Sequence, residues 1–413
     1  MNVPILSIIV PIYNVESYLS ECLTSIIAAF DRGFPYEIIC VNDGSTDNSL
    51  SILEKFAQNA ESIRIVNQQN AGYGRAINAG LEIARGSLVS IVESDDVIVP
   101  GVHQRIVAIF DQFPDVDFVK TPYQPWSPVM PRPIVSKPSP LFTIKNVLTS
   151  TDGFIHASGG VKHPLIVDFR NDTAILNAPS IWSGVYRRSS LIKNNITVIE
   201  TPGASFQDTD FAFKCYLSGM KYIRICEHFY LYRVSRFDAS RHNRKWGDEF
   251  INMLSSTRDF LVSNNLFDSE RKVAFYSAYF LRFVWYLERV APGLRFSVFA
   301  RAYSEFKEVF DHAELYISIA NYIGSKQEDF LEFSKGNYRY FAARIPASEV
   351  GVEKRIYTNK EEFKNFLRTA YWKTPLIKKL AGENKESIRY KMMGLGLPPA
   401  ILLADYYSRR NKQ

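Results

Sequence analysis

Leu88-Val89-Ser90-Ile91-Val92-Glu93-Ser94-Asp95-Asp96-Val97-Ile98-Val99-Pro100 is the stretch on which the reading of the chain turns. Its first half is apolar and β-branched, the pattern of a strand buried on both faces, and three carboxylates follow where that strand ends. Clustered carboxylates repel one another and are costly to desolvate, so their usual partner is a divalent cation held by hard oxygens. In open α/β sheets the ligand crevice lies at the carboxyl ends of the strands, where this cluster falls. The competing reading is a helix N-cap, with Ser94 or Asp95 capping a helix entered at Pro100.

Outward from this strand, the first 120 residues alternate strand and helix. Apolar runs predict strands at 6–10, 37–41, 63–66, 88–92 and 116–120, and helical spacing predicts helices at 16–29, 47–60, 71–84 and 102–113. Successive β-α units predict a mostly parallel sheet with helices on both faces. Polar residues follow each strand, at Tyr13-Asn14, Asn42 to Ser45, Asn67 to Asn70 and Glu93 to Asp96, so four loops converge on one edge.

Composition bounds the rest. The chain has 413 residues, 46% hydrophobic and 22% charged, which fits a folded protein of two or three domains and excludes a disordered one. Cys22, Cys40, Cys215 and Cys226 have no zinc spacing and read as buried free thiols of a reducing compartment. The N-terminus reads as a first strand and not a signal peptide, since it lacks a basic leader and carries Pro4 and Pro11. The most apolar window, 273–290, contains Arg282 and Glu288 and reads as a buried helix, not a membrane span. The expectation is a cytoplasmic protein with no nucleic-acid partner.

Each loop carries a chemical reading. Asp43, at a strand end, is placed to accept from a base imide or a ribose hydroxyl, while Asp47 is explained as a helix cap. Asn70-Ala71-Gly72-Tyr73-Gly74-Arg75 opens a helix, where glycine amides and Arg75 would cradle a phosphate, or where the glycines merely relax the helix start. Gly72-x-Gly74 with Glu93 about twenty residues on also fits a dinucleotide-binding oxidoreductase. That rival leaves Asp43 and Asp95-Asp96 unused and lacks the third glycine, its place being taken by Ile77.

Together, 10–19 (Val-Pro-Ile-Tyr-Asn-Val-Glu-Ser-Tyr-Leu), 41–47 (Val-Asn-Asp-Gly-Ser-Thr-Asp), 70–80 (Asn-Ala-Gly-Tyr-Gly-Arg-Ala-Ile-Asn-Ala-Gly) and 93–96 (Glu-Ser-Asp-Asp) resemble family 2 glycosyltransferases of the GT-A fold. Residues 181–187 and 202–211 resemble the acceptor half of that family. The resemblance implies a nucleotide-sugar donor, commonly a UDP-sugar, a divalent metal (Mn2+ or Mg2+), and transfer with inversion to a glycan or lipid-linked glycan. It implies donor contacts from Pro11, Tyr13, Asn14, Glu16, Asp43, Asn70, Gly72, Arg75, Ser94 and Asp95, with Asp95 and Asp96 as metal carboxylates. The family usually has aspartate where this chain has Glu93, which leaves the role of Glu93 open.

Inverting displacement needs a base for the acceptor hydroxyl. Asp208 and Asp210 are the candidates, and the family pattern of Gln-Asp before an aromatic selects Asp208. Trp182 and Asp210 are candidates for the acceptor cleft. Arg233 and His242 lie in a basic segment resembling the family's lid over the diphosphate. The implied domains are 1–240 (nucleotide-sugar half 1–120, acceptor half 121–240), a helical module 241–345, and a basic helical segment 346–413. From Gly351 to Gln413 fourteen basic residues face six acidic ones. That segment is expected either to touch an anionic membrane at the inner face of the cell membrane or to pack with its lysines in water. The alternative to an enzyme is an inactive scaffold or sugar-binding module, for which Glu93 is the hint.

Overall fold

The apolar run that opens the chain is its central strand, β1 (Leu6–Ile12), buried at all seven residues as a strand covered on both faces must be. The computed structural model describes residues 3–127, 167–170, 179–201, 203, 206–225, 229–236 and 249–343. After β1 come α1 (Glu16–Ile27), β2 (Tyr36–Asp43), α2 (Ser49–Asn59), β3 (Ile63–Gln68), α3 (Tyr73–Ile83) and β4 (Leu88–Ile91). Each helix buries one stripe; in α1 it is Leu19, Cys22, Leu23 and Ile26, at helical spacing. Next are β5 (Val97–Ile98), α4 (Val102–Gln112), β6 (Phe118–Lys120) and β7 (Tyr123–Trp126). The cap reading of Ser94 or Asp95 does not hold, because β5 intervenes and α4 begins after Gly101 in a left-handed conformation with no side-chain cap.

Past the residues that lie outside the described ones come β8 (Gly184–Arg187), α5 (Arg188–Lys193), α6 (Gln207–Leu217), β9 (Tyr222–Arg224) and β10 (Tyr230–Arg233). The main sheet has the order β3-β2-β1-β4-β8-β6-β9. It is mostly parallel, but β8 runs antiparallel between β4 and β6, with Ser90 opposite Val185. The chain re-enters the sheet from the carboxyl-end edge at Gly184, so β8 must run backwards. A second sheet, β5-β10-β7, was not foreseen from the sequence, since its strands are only two to four residues long. Cys22, Cys40 and Cys215 are buried and free as expected; Cys226 lies outside the described residues.

At the other end of the sheet, away from the loops, Glu37 is 2% exposed and collects the Ser7 hydroxyl, the Arg64 and Arg85 guanidiniums and the Arg85 amide. Burial works to raise its carboxyl, and these hydrogen bonds outweigh it and hold the carboxyl below the ordinary range. A depressed carboxylate stabilises the fold above its unfolded pKa and loses that contribution as pH falls through the folded value. Glu37→Gln is therefore expected to cost about 1–3 kcal/mol at pH 7. The gap to wild type should close below about pH 4. Urea unfolding at the two pH values checks this, and a gap unchanged at low pH would contradict it.

The chain divides into two compact units, 1–243 with 252–275, and 244–251 with 276–413. Helices α7 (Glu249–Ser263) and α8 (Ser269–Leu287) follow β10, and in the second unit α9 (Arg295–Glu305), α10 (Lys307–Asp311), α11 (Ala313–Tyr322), α12 (Gln327–Ser334) and α13 (Tyr338–Ala342) surround an aromatic core. Phe306 lies 5.2 Å from Phe333, which lies 5.0 Å from Phe283. Many of the abundant aromatics are thus core here. No helix of the described residues is long and apolar enough to cross a membrane. The basic segment 346–413, and the membrane contact expected of it, fall outside the described residues.

Candidate active site

The four loops at the carboxyl ends of β1 to β4 are stitched together pairwise. The Asn14 amide donates to Ser45 Oγ (3.2 Å) and Thr46 donates its amide to Asn14 Oδ1 (2.8 Å). Two reciprocal caps follow: the Glu16 amide donates to Asp47 Oδ2 (2.9 Å), and Glu16 Oε2 accepts from the Asn48 amide (2.8 Å). Glu16 therefore braces α2 from the surface, which accounts for it without a donor contact. Pro11 is buried, and Tyr13 stands exposed at the tip of this loop.

Asp43 is buried and acts on the next loop. Its Oδ1 accepts from Gln68 Nε2 (2.7 Å) and the Ala71 amide (2.9 Å), and its Oδ2 from the Gly72 amide (2.9 Å). It fixes the chain from Asn70, which is exposed, into α3. Of the two readings of Gly72 and Gly74, the packing supports the one in which they serve the helix start. Gly72 has φ +94°, and a Cβ there would meet the Thr201 carbonyl at 2.5 Å; at Gly74 it would meet the Ile199 carbonyl at 2.1 Å. These glycines are small so that residues 199–201 and 203 can lie against α3, and the Tyr73 amide is spent on the Gly203 carbonyl. Arg75 is half exposed between Glu82 and Glu200, each at 3.5 Å, so its charge is also used locally.

The three carboxylates of the 93–96 turn part company. Asp96, expected beside Asp95 as a metal ligand, is 1% exposed and turned into the protein, where Oδ2 accepts from the Tyr230 hydroxyl (2.7 Å) and Oδ1 from the Arg233 amide (2.6 Å). Both oxygens are engaged, so it ties β4 to β10. Burial, and next Asp95, push its carboxyl well up. Glu93 accepts a short hydrogen bond from the Tyr73 hydroxyl. Burial pushes its carboxyl well up, and Asp95, Asp96 and Asp208 push the same way. Asp95, like Glu93, is partly exposed, and its Oδ2 lies 3.1 Å from Arg236. Ser94 is buried between them. No three Asp, Glu, His or Cys side chains gather as a metal cage among the described residues.

The first turn of α6 separates the two aspartates that the sequence offers as candidate bases. Asp210 is fully buried, with Lys214 Nζ at 2.6 Å from Oδ2 and Thr257 Oγ1 at 2.9 Å from Oδ1. It is a core ion pair and not part of an acceptor cleft. Asp208 is partly exposed, and its charge reaches Tyr73, Glu93, Lys120 and Tyr186. Phe206 holds a left-handed φ of 61° to turn the chain into this helix, a strained conformation for a bulky residue. Gln207 is buried and donates to Thr201 Oγ1 (2.7 Å) and the Gly203 carbonyl (3.1 Å). The segment under Gly72 is thus anchored by the residue next to Asp208.

Lys120, Tyr73, Gln207 and Tyr230 join the site, and sequence reasoning missed them. Lys120 is buried at the end of β6, donating to the Ser180 carbonyl and to Ser180 Oγ. Burial lowers its ammonium to about 7, while the Asp208 charge pulls it up. A lysine ending an apolar strand was the one signal available. Trp182 is buried with its ring over Tyr230 (4.4 Å) and Tyr232 (5.2 Å), so its described contacts are packing ones. Arg233 is 3% exposed, bound to the Asp95 carbonyl, Glu21 and the Asp96 carboxylate through its amide, and it stacks on Tyr18 and Trp126. It is a brace and not a lid. His242 lies outside the described residues.

Residues 7–159, which begin in β1 and contain all four loops, match the sequence model described as Glycosyl transferase family 2. This stretch of the chain thus carries the family 2 glycosyltransferase pattern. The chain is 28% identical over 261 residues to the uncharacterized glycosyltransferase YibD of Escherichia coli (strain K12), over 60% of this chain and 66% of YibD. It is 39% identical over 95 residues to the poly(ribitol-phosphate) beta-glucosyltransferase of Bacillus spizizenii, over 22% of this chain and 15% of that protein. The chain therefore spans just under two thirds of YibD and a small part of the second relative. Among solved structures, S. aureus TarS 1-349 in complex with UDP-GlcNAc aligns with a TM-score of 0.53 at 19% identity, over 84% of this chain and 90% of that one. At that identity the likeness is one of fold.

Proposed function

We propose that this glycosyltransferase moves a sugar from a UDP-sugar to a hydroxyl of a glycan acceptor with inversion, using Asp208 as the base. The observation that carries the reading is the division of labour between Asp208 and Asp210. One is turned into the core and paired; the other is held by its helix where its charge reaches Glu93 and Tyr73 of the donor loops. The printed names of its relatives and neighbour, a poly(ribitol-phosphate) glucosyltransferase and a UDP-GlcNAc complex, support a UDP-hexose or UDP-N-acetylhexosamine donor and a polymer acceptor.

In this scheme the nucleoside lies against Tyr13 and Asn14, beside the loop that Asp43 fixes. The acceptor oxygen attacks the anomeric carbon from the side opposite the diphosphate, Asp208 takes its proton, and the bond to the diphosphate oxygen breaks. The donor set suits a magnesium- or manganese-type ion, because such ions are commonly held by one or two carboxylates with the rest of the shell from phosphates and water. Asp95 is the carboxylate that fits. When bound, the ion would offset the charge growing on the leaving diphosphate. Arg236, now on Asp95, is placed to turn to a phosphate instead. Burial pushes the Glu93 carboxyl toward its neutral form, which eases the crowding of negative charge beside Asp95 and Asp208.

The test is turnover of a panel of UDP-hexoses and UDP-N-acetylhexosamines with manganese, followed as UDP release. Release from at least one donor is expected. Release from none, with UDP still bound, would favour an inactive scaffold.

A further inference from the structure

The small β5-β10-β7 sheet has two unlike faces. Tyr123 pairs with Tyr230 in register, so Tyr123, Tyr230 and Tyr232 share one face, while Trp126 and Arg233 share the other. Trp182 lies across the tyrosine face, nearly parallel to Tyr232 (8°) and stacked on Tyr230 (27°). Tyr123 stands edgewise to both Trp182 (4.8 Å, 75°) and Tyr232 (5.8 Å, 69°). Two aromatic residues of β7 thus have opposite fates: Trp126 is 1% exposed and Tyr123 is 40% exposed.

An aromatic ring fixed by two neighbours and left open to solvent loses little conformational entropy when a ligand covers it. A strand-adding partner is ruled out as its occupant, because β7 is an edge strand that carries Pro125, which has no amide to donate. The same ring is continuous with the reaction centre. Tyr123 touches Trp182, Trp182 stacks on Tyr230, and the Tyr230 hydroxyl bonds Asp96 and accepts from the Glu93 amide. Three side-chain contacts thus link Tyr123 to the 93–96 turn.

We propose that Tyr123 is the stacking wall of an acceptor subsite that receives a pyranose ring neighbouring the one that is glycosylated. The inference rests on the glycosyltransferase reading above. Stacking needs a flat patch of C–H groups with hydroxyls at its rim, which a pyranose ring offers and an open-chain polyol phosphate does not. The acceptor is accordingly a sugar-ring glycan and not a poly(ribitol phosphate) chain.

Saturation-transfer NMR and titration of the full chain with lactose, cellobiose, N,N′-diacetylchitobiose and D-ribitol 5-phosphate tests this. Ring C–H protons of at least one disaccharide should receive saturation, and ribitol 5-phosphate should not. Tyr123→Ala should weaken that disaccharide by about tenfold, and Tyr123→Phe by no more than a few fold. UDP affinity should match wild type in both variants, and the fold should persist, with the thermal midpoint of Tyr123→Ala lowered only by the loss of its contacts to Trp182 and Tyr232. Disaccharide binding by Tyr123→Ala equal to wild type, or no disaccharide binding by wild type, overturns the subsite. Loss of UDP binding by the wild-type chain would instead strike the glycosyltransferase reading, and the two failures are read from separate titrations.

Discussion

Asp208→Asn should lower sugar transfer by roughly 10²- to 10⁴-fold, the span expected for losing a positioned general base. The amide keeps the shape and the hydrogen bond that Asp208 Oδ1 accepts from the Thr209 amide at 2.7 Å, so the start of α6 should persist. It cannot take the acceptor proton. Asp208 lies on α6, outside the four loops at the ends of β1 to β4, so UDP affinity should stay within a few fold of wild type. Removing the negative charge should also let the Lys120 ammonium titrate lower, since Asp208 now raises it. Initial rates with saturating donor, alongside calorimetric UDP titration, check both halves. Near-normal turnover would take the base role from Asp208. Asp210 would be no substitute, because its carboxylate is committed to Lys214 and Thr257 in the core.

Chelation, or Asp95→Asn, should reduce turnover by about 10²- to 10³-fold, because stabilising charge on a leaving phosphate is worth several kcal/mol and each 1.4 kcal/mol is tenfold. The two perturbations should not add, since both remove the same interaction. Among the described residues no three acidic, His or Cys side chains form a cage. Metal affinity should therefore be weak without nucleotide and rise when UDP supplies phosphate oxygens. Manganese titration followed by electron paramagnetic resonance, with and without UDP, reads this directly. Equal UDP affinity in chelator and in manganese would remove Asp95 from this role. Asp96→Asn should behave differently: it loosens the tie of β4 to Tyr230 and Arg233 and shows as lost stability.

The sequence by itself determined the β-α alternation of the first 112 residues, the convergence of four polar loops on one edge, and the helical character of residues 249 to 343. These follow from local periodicity and from charges at the ends of apolar runs, which each segment states without its neighbours. It also offered two aspartates as candidate bases, with the family pattern favouring Asp208. Only the tertiary structure shows their different surroundings, because Asp208 and Asp210 share one helix turn. One meets Lys214 and Thr257; the other meets the cleft. The same holds for Asp95 and Asp96, adjacent in the chain and opposite in environment, since Tyr230 and Arg233 lie more than 130 residues away. Gly72 and Gly74 read locally as a phosphate loop or a relaxed helix start, and only the arrival of residues 199–201 and 203 gives them their use as contact points. The reversed β8 and the second sheet were illegible for a related reason. Pairing partners of strands only two to four residues long are set by long-range contacts, and no periodicity within such a strand is long enough to announce them.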